Sequence, residues 1–240
     1  MNRTWTTLLL IFIVSFANSQ PIDILNKSDK KFKKRGKGFE YINPTTDTIN
    51  YEFIATLKTK GRKSTADIGR LYINLSEKAR IIGANSFKLN SFERNVSQRE
   101  IELTIDIYFA SDSVKRLNRA NHAVNVIYLF GDSNFDTYKT YSFTINDQEK
   151  LIHSGQYYEV KLNEGEHVKI RKGGIAGSTV TINWENGKSA VYLSLSNFGF
   201  GGVAPPPGNS GYVVSFYTGK ISYLDENIGQ LLVNVLDKAN

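Results

Sequence analysis

The sequence predicts an α+β fold, in which a small domain with one helix on a sheet is followed by an antiparallel β-sandwich. Two observations lead to this prediction. A single long helical period occurs in the first half, where apolar residues recur on one face. After residue 122 that period gives way to short β-rich runs separated by Gly, Asn and Asp turn clusters, the pattern of sandwiches and barrels.

The first nineteen residues have the layout of a secretory signal peptide. Arg3 supplies one positive charge, and Leu8–Phe16 is almost wholly apolar. Small residues precede the predicted cleavage position between Ser19 and Gln20. A retained anchor is disfavoured because a spanning helix needs about 20 apolar residues. We therefore expect residues 1–19 to be removed and the mature protein to be secreted or periplasmic.

Composition excludes several classes of stabilisation and chemistry. The chain has no cysteine, which excludes disulfides, thiolate metal sites and lipid attachment at a cysteine. Its formal net charge is +7. Much of the excess lies in residues 27–37, within a segment, 20–49, that we expect to be a basic flexible leader.

The leader has a functional interpretation beside that of a solvated tether. Its basic side chains would hold an anionic lipid, a polysaccharide or another anionic surface. The candidates are Lys30, Lys31, Lys33, Lys34 and Arg35. Only Phe32 is interleaved with them, so no base-stacking platform for nucleic acid is indicated.

Residues 50–110 are expected to form the α+β domain. In "YEFIATL", Tyr51, Phe53, Ala55 and Leu57 alternate as in a half-buried strand. Ser64 is the predicted N-cap of a helix whose apolar stripe is formed by Ile68, Leu71, Tyr72, Leu75, Ala79 and Ile82. Gly83 offers the positive φ that ends a helix. "SFKL" and "REIELTIDIYF" then predict two strands.

The stretch "LSEKARIIGANSFKL" resembles a family of small secreted or periplasmic domains. In these YbjQ-like domains, and in related envelope-stress lipoproteins, a helix ends in Gly-Ala-Asn before a strand. The resemblance covers roughly residues 50–110 and implies the fold of this half. The family is associated with heavy metals, but this stretch lacks the cysteines and histidines for such a site. No metal and no cofactor are therefore expected.

Residues 111–122 are predicted to be a short helix or a linker, and residues 123–240 a β-sandwich with a C-terminal helix. That helix is indicated by the apolar spacing in "DENIGQLLVNVLDKA". The second half resembles PEGA-like or transthyretin-like bacterial sandwiches, which implies a non-catalytic envelope domain. The residues that carry this resemblance are Phe143, Ile145, Asn146, Asp147, Gly155, Tyr157, Leu162, Gly165 and His167.

One stretch suggests an enzyme instead. "VIYLFGDSNFD" resembles the nucleophile block of GDSL-type serine esterases, which implies Ser133 as nucleophile and the Asp132 backbone N–H in an oxyanion hole. His167 would be the base, although the family's Asp-x-x-His block is here Glu-x-x-His. Gly-Asp-Ser is also ordinary turn chemistry, and we favour the turn.

A long Gly- and Pro-rich loop, residues 196–212, is the candidate surface for a protein partner. Its extended prolines would project apolar anchors; alternatively, the loop folds back over the end of the sandwich. The candidate contacts are Phe198, Phe200, Val203, Pro205, Pro206, Pro207 and Tyr212.

Together these features predict a non-catalytic binding or assembly module of the cell envelope. The expected partner is an envelope protein or polysaccharide, with an anionic lipid surface as a further candidate. Neither nucleic acid nor a transmembrane span is expected. The alternative is a serine ester hydrolase that uses Ser133.

Overall fold

A computed structural model describes residues 20–32, 38–136, 138–173, 177–196 and 221–240. Its helices are Ile68–Ile81 (α1), Asp112–Arg119 (α2) and Glu226–Val235 (α3). The strands of the first half are Ile22–Lys27 (β1), Glu40–Tyr41 (β2), Glu52–Arg62 (β3), Ser86–Asn95 (β4) and Glu100–Phe109 (β5). Those of the second half are Val126–Phe130 (β6), Thr140–Ile145 (β7), Gln148–His153 (β8), Gln156–Lys161 (β9), His167–Lys172 (β10), Ser178–Asn183 (β11), Val191–Ser194 (β12), Ser222–Tyr223 (β13) and Asp237–Lys238 (β14).

The fold class predicted from the sequence is wrong. The protein is predominantly β, with 46% strand and 19% helix, and its strands form several sheets. The apolar period of α1 extends over 14 residues and is easily detected in the sequence. Short strands leave a weaker periodic signal, so the prediction underestimated the strand content. Segments such as β1 and β2 add strands to the first sheet, so that even the half with the long helix is mainly sheet.

The first sheet has the strand order β1-β3-β5-β4-β2. Its pairs are antiparallel except β2 with β4. Residues 22–27 fell within the segment expected to be a flexible leader, but they form β1, which pairs with β3. The Gln20 side chain anchors the start of β1, because it donates to the Thr65 carbonyl at 3.1 Å and accepts from the Asn74 amide at 2.9 Å.

Helix α1 packs on one face of this sheet. Its N-cap is Asp67, not the predicted Ser64, because Lys63–Thr65 forms a separate 3-10 turn. The Asp67 carboxylate accepts a hydrogen bond from the Arg70 backbone N–H at 3.0 Å, as N-cap residues do. At the other end Gly83 has a φ of 101°, as predicted for the residue that ends the helix.

A β-bulge divides the apolar residues of β3 between the two faces of the sheet. The register shifts between Phe53 and Ala55, which reverses the side-chain alternation beyond that point. Ala55 therefore lies in the core under α1, whereas Phe53 packs beside Tyr51 and Tyr108 on the opposite face. Simple alternation had placed all the apolar side chains of this strand on one face.

The second half contains two sheets that pack face to face. One has the order β11-β10-β7-β8 and the other β13-β12-β6-β9-β14. The prediction of an antiparallel sandwich is wrong for the second sheet, where β12 runs parallel to β6 and β14 runs parallel to β9. Long connections separate these strands in the chain, so each can enter the sheet in the direction of its partner.

The five-stranded sheet of the second half is covered on both faces. Ile127, Leu129 and Leu193 face the four-stranded sheet, and Phe130 and Tyr192 face helices α1 and α3. The layers are therefore sheet, helices, sheet and sheet. One apolar cluster, which includes α1, the first sheet and α3, joins the two halves of the chain. No helix among the described residues is long and apolar enough to cross a membrane.

The segment predicted to be a short helix or a linker contains helix α2. Asn118 is buried and accepts from the Asn43 backbone N–H at 3.1 Å, while its amide donates to the Tyr41 carbonyl at 2.8 Å. Just beyond the helix, the His122 ring lies 2.7 Å from Glu226 in α3. These bonds fasten α2 to both β2 and the C-terminal helix.

Candidate functional site

The Gly-Asp-Ser stretch lies in the connection between β6 and β7. The Gly131 backbone N–H donates to the Gln156 carbonyl at 3.0 Å, and the Gly155 N–H donates to the Asp132 carbonyl at 2.7 Å. A Cβ at Gly131 would lie 2.3 Å from the His153 carbonyl oxygen, so only glycine fits there. The stretch changes the direction of the backbone, as its turn chemistry predicts. It joins β6 and β7, which belong to different sheets.

Ser133 is fully buried at the start of helix α1. Its hydroxyl donates to Asp67 Oδ2 at 3.4 Å, and its carbonyl accepts from the Ile68 backbone N–H at 3.3 Å. Burial raises the pKa of the Asp67 carboxyl; the Arg70 N–H opposes this effect, and the charge of Asp132 adds to it. The hydroxyl thus contacts a carboxylate that is capping a helix.

The Asp132 side chain is also engaged within the loop. Its Oδ1 accepts from the Asn134 backbone N–H at 3.0 Å, and its Oδ2 accepts from the Tyr141 hydroxyl at 3.1 Å. Lys139 lies 3.8 Å from the same oxygen. Burial and the charge of Asp132 raise the pKa of Tyr141. The carboxylate therefore holds the loop against β7.

His167, the predicted base, lies at the start of β10 in the four-stranded sheet, opposite Asn183 of β11. Among the described residues, no hydrogen bond joins Ser133 to a histidine. His153 instead exchanges a hydrogen bond with Thr140 at 2.9 Å. A serine nucleophile requires a base within about 2.6–3.2 Å, and the described residues do not provide that pair.

The end of the same loop is wedged between the two halves of the protein. The ring centroids of Phe135 and Phe92 are 6.0 Å apart, and the Arg94 guanidinium lies 4.3 Å from the centroid of the Phe135 ring. Asp136 pairs with Arg99 at 3.2 Å. Residues 131–136, which we call the interlock loop, therefore connect the β4–β5 hairpin and the start of α1 to the second half.

Part of the predicted anionic-surface site lines a groove beside β1. This basic groove, with a volume of about 540 Å³, is lined by Lys27, Ser28, Asp29, Lys30, Lys31, Phe32, Ile54 and Ile82. The Ser28 backbone N–H donates to the Ile54 carbonyl at 2.8 Å, which holds the segment on β3. Lys33, Lys34 and Arg35 lie outside the described residues, so the structure places Lys30 and Lys31 and adds Lys27.

The predicted partner loop cannot be placed in the same way. All of its candidate contacts, Phe198, Phe200, Val203, Pro205, Pro206, Pro207 and Tyr212, lie outside the described residues. Ser196, at the start of that loop, is described and buried, and its hydroxyl donates to the Gly131 carbonyl at 2.9 Å. Ser196 therefore lies next to the interlock loop.

Sequence reasoning missed a row of cations on β10. Lys169 and Arg171 alternate with the buried Val168 and Ile170, so they point outward on the same side as His167. The signal was present in "HVKIRK", whose period of two separates charged from apolar residues. His167 was predicted as a candidate base and as part of the resemblance to bacterial sandwiches, whereas Lys169 and Arg171 were assigned no role.

The described residues contain no group of three or more His, Cys, Asp or Glu side chains arranged to hold a metal ion. Comparison of the chain with protein-family models, with curated proteins and with solved structures found no match.

Proposed function

We propose that this protein is a secreted or periplasmic, non-catalytic binding module that attaches to anionic surfaces of the cell envelope. The basic groove is the observation that carries the proposal. Lys27, Lys30 and Lys31 are exposed around its rim, and no ion pair within the described part of the chain engages them. Cations that are exposed and not neutralised attract anionic surfaces over a Debye length.

The floor of the groove adds apolar contact to this charge. Phe32 and Ile82 line it and are half-buried, and Ile81 beside them is 64% exposed. Lysines that flank apolar side chains suit the boundary between lipid headgroups and acyl chains. The resemblance of both halves to small envelope domains supports the same location.

A vesicle-binding experiment tests this proposal. The exported protein is sedimented with vesicles of phosphatidylcholine alone or with added phosphatidylglycerol, at low and high salt. The variant Lys27→Gln/Lys30→Gln/Lys31→Gln is compared with Lys63→Gln/Lys161→Gln/Lys238→Gln, which loses the same charge elsewhere. Because each lysine near an anionic membrane contributes about 1 kcal/mol, the groove variant should bind at least about tenfold more weakly. Equal binding by both variants, or none by the wild type, would overturn the proposal.

The hydrolase alternative is tested separately on Ser133. Its buried hydroxyl and its bond to Asp67 support a structural role, so we expect no turnover of short acyl esters by the wild type or by Ser133→Ala. The variant should instead be less stable by about 1 kcal/mol, because a buried hydrogen bond is lost. Ester hydrolysis that Ser133→Ala abolishes would establish the enzyme.

A further inference from the structure

We infer that this protein forms a two-fold dimer in which the edge strand β11 pairs with β11 of a second copy. This contact is separate from the basic groove and goes beyond the proposed attachment to envelope surfaces. An exposed strand edge can pair with a further strand unless charge, proline, a bulge or short length prevents it. The free edges of the three sheets differ in these features.

Every free edge but one carries a protective feature among the described residues. The edge strands β2, β13 and β14 have two residues each. β1 is interrupted by a bulge between Ile24 and Asn26, and β8 carries Glu149 and Lys150. β11 has six residues, Ser178–Asn183, without a charge or a proline, and its register with β10 is continuous. Its edge is therefore open to a further strand.

The outward backbone groups of β11 are identified by a hydrogen bond just beyond the strand. The Trp184 N–H donates to the Glu166 carbonyl at 2.8 Å, and this pair continues the register of β10 and β11 by one residue. Hydrogen-bonded pairs alternate along an antiparallel ladder, so the even-numbered residues of β11 bond to β10. Thr179, Thr181 and Asn183 therefore direct their N–H and C=O groups toward the free edge.

The centre of this edge is unobstructed within the described part of the chain. The Thr179 and Thr181 side chains are exposed, and no hydrogen bond engages the outward backbone groups of these two residues there. At one end the Lys188 amine donates to the Asn183 carbonyl at 3.1 Å. A carbonyl oxygen can accept two hydrogen bonds, so this contact leaves Asn183 able to pair.

A second copy of β11 matches this edge in antiparallel register. When Thr181 lies opposite Thr181 of the other copy, Thr179 lies opposite Asn183, and every outward backbone group meets a partner. On the core side, the same register places Val180 opposite Ile182. Pairs of threonines and of β-branched residues stabilise neighbouring strands. Because β11 has no charged residue, no like charges meet between the paired strands.

The pairing also covers apolar surface and ends at two copies. Val180 and Trp184 pack against the core of the sandwich but are only half-buried, and a strand added at this edge would cover them further. In a two-fold contact each copy uses its own β11 edge. The remaining edges are short, charged or bulged, so a closed dimer is expected rather than a fibre.

Cysteine cross-linking tests the register, because the chain contains no cysteine of its own. Opposite residues of a hydrogen-bonded pair have Cα atoms about 5.5 Å apart, a distance that a disulfide can bridge. With oxidised glutathione, exported Thr181→Cys should form a disulfide-linked dimer, and so should Thr179→Cys/Asn183→Cys. Thr179→Cys alone and Leu151→Cys on the edge strand β8 should remain unlinked.

Sedimentation velocity measures the dimer without a cross-link, at about 1 μM to about 1 mM protein. A pair of six-residue strands is a small interface, so the dimer should dissociate on dilution. Thr181→Pro removes an N–H that β10 does not use, and Thr181→Lys places two like charges opposite each other. Each should weaken dimerisation by at least about tenfold, whereas Leu151→Lys should not. Thermal melting followed by Trp184 fluorescence confirms that each variant is folded.

Three outcomes would overturn the inference. They are a wild type that stays monomeric at every concentration, dimerisation that Thr181→Lys leaves unchanged, and equal linking of Thr181→Cys and Thr179→Cys. A wild type that binds vesicles as a monomer would overturn only the dimer and leave the proposed function intact. Dimerisation without vesicle binding would do the reverse, because Lys27, Lys30 and Lys31 lie outside β11.

Discussion

The Asp67 carboxyl is the N-cap of α1 and is also buried, and burial disfavours its charged form. It caps α1 through Oδ1 and receives the Ser133 hydroxyl at Oδ2, while burial raises its pKa above the ordinary value of 3.8. A group whose pKa is raised by folding holds its proton more tightly in the folded state. Its contribution to stability is therefore greatest at low pH and falls as the pH rises through the interval between the two pKa values.

We expect Asp67→Asn to remove this loss. The amide oxygen can still accept from Arg70, and asparagine is as good an N-cap as aspartate. As the pH rises above 3.8, the free energy of unfolding of the variant should increase relative to that of the wild type. At higher pH the difference between the two proteins should become constant. Urea titrations at a series of pH values measure it. Asp67→Ala, which loses the cap, should be destabilised by about 1 kcal/mol; a constant difference between Asp67→Asn and the wild type would contradict the burial argument.

Gly229 allows α3 to approach the five-stranded sheet closely. A Cβ at this position would lie 2.3 Å from two ring carbons of Tyr192. Alanine has a helix propensity about 1 kcal/mol better than glycine, but overpacking costs about 1–3 kcal/mol. Because the ring itself is buried in the core and cannot move aside easily, we expect Gly229→Ala to lower the free energy of unfolding.

A double-mutant cycle tests the cause of that loss. In the Tyr192→Ala background the ring is absent, so Gly229→Ala should be neutral or stabilising there. Denaturant titrations of the four proteins supply the coupling energy. If alanine destabilises both backgrounds equally, contact with Tyr192 is not the reason for glycine.

At the scale of elements, the interlock loop joins the second half of the chain to the β4–β5 hairpin and to the start of α1. Phe135 packs against Phe92 and under Arg94, and a Cβ at Gly155 would come within 2.8 Å of its ring. We expect Phe135→Ala to cost about 2 kcal/mol, less than a fully buried phenylalanine. Phe135→Leu, which keeps apolar volume but loses the cation–π contact, should cost less. Chemical denaturation measures both, and equal stability of Phe135→Ala and the wild type would show that the wedge is not required.

The edges of the first sheet carry features that limit pairing with other chains. β1, an edge strand, has a bulge between Ile24 and Asn26, and β4, which β2 covers only at Ser86 and Phe87, has one between Leu89 and Ser91. Bulges twist an edge away from a flat pairing geometry. Ile24 and Leu25 on the β1 edge are nevertheless exposed.

At the scale of the whole molecule, the two halves share one core and should unfold together. The cluster that contains Leu75 of α1 and Leu103 of β5 also contains Phe130 and Leu232 from the second half. Elements that share a buried core lose their stability together. Division of the chain into two independent folding units is not expected.

Two spectroscopic probes test this cooperativity. Trp184 belongs to the second half and is the one tryptophan that remains after residue 20, whereas far-UV circular dichroism is dominated by the helices, including α1. Their urea transitions should coincide. Leu232→Ala should shift both transitions equally, by about 2–5 kcal/mol. Separate transitions, or a shift in one probe alone, would show that the halves are independent.

Local patterns predicted some elements well. The apolar stripe of α1 and the alternation in "REIELTIDIYF" correspond to Ile68–Ile81 and Glu100–Phe109. Each pattern repeats over several turns or residues, so a single exception does not hide it. Of the lysines that line the basic groove, the sequence analysis predicted Lys30 and Lys31 but not Lys27.

Other features were misread because their cause is remote in sequence. β1 precedes a basic run, and its strand structure depends on the free edge of β3. Gly-Asp-Ser was interpreted as a turn rather than as a nucleophile motif, but its contact with Asp67, a residue 66 positions away, leaves no local signal in the sequence. Neither the bulge that reverses β3 nor the parallel pairing of β12 with β6 leaves a periodic signal.

By itself, the sequence determined the long helix, the alternating strands and the concentration of positive charge in residues 27–37. These depend on the relation of each residue to neighbours along the chain, which periodicity records. The tertiary structure alone decided the sheet order, the shared core, the enclosure of Ser133 and the position of the basic groove beside β1. The physical reason is that backbone pairing and burial depend on contacts between segments far apart in sequence, and no local pattern specifies those partners.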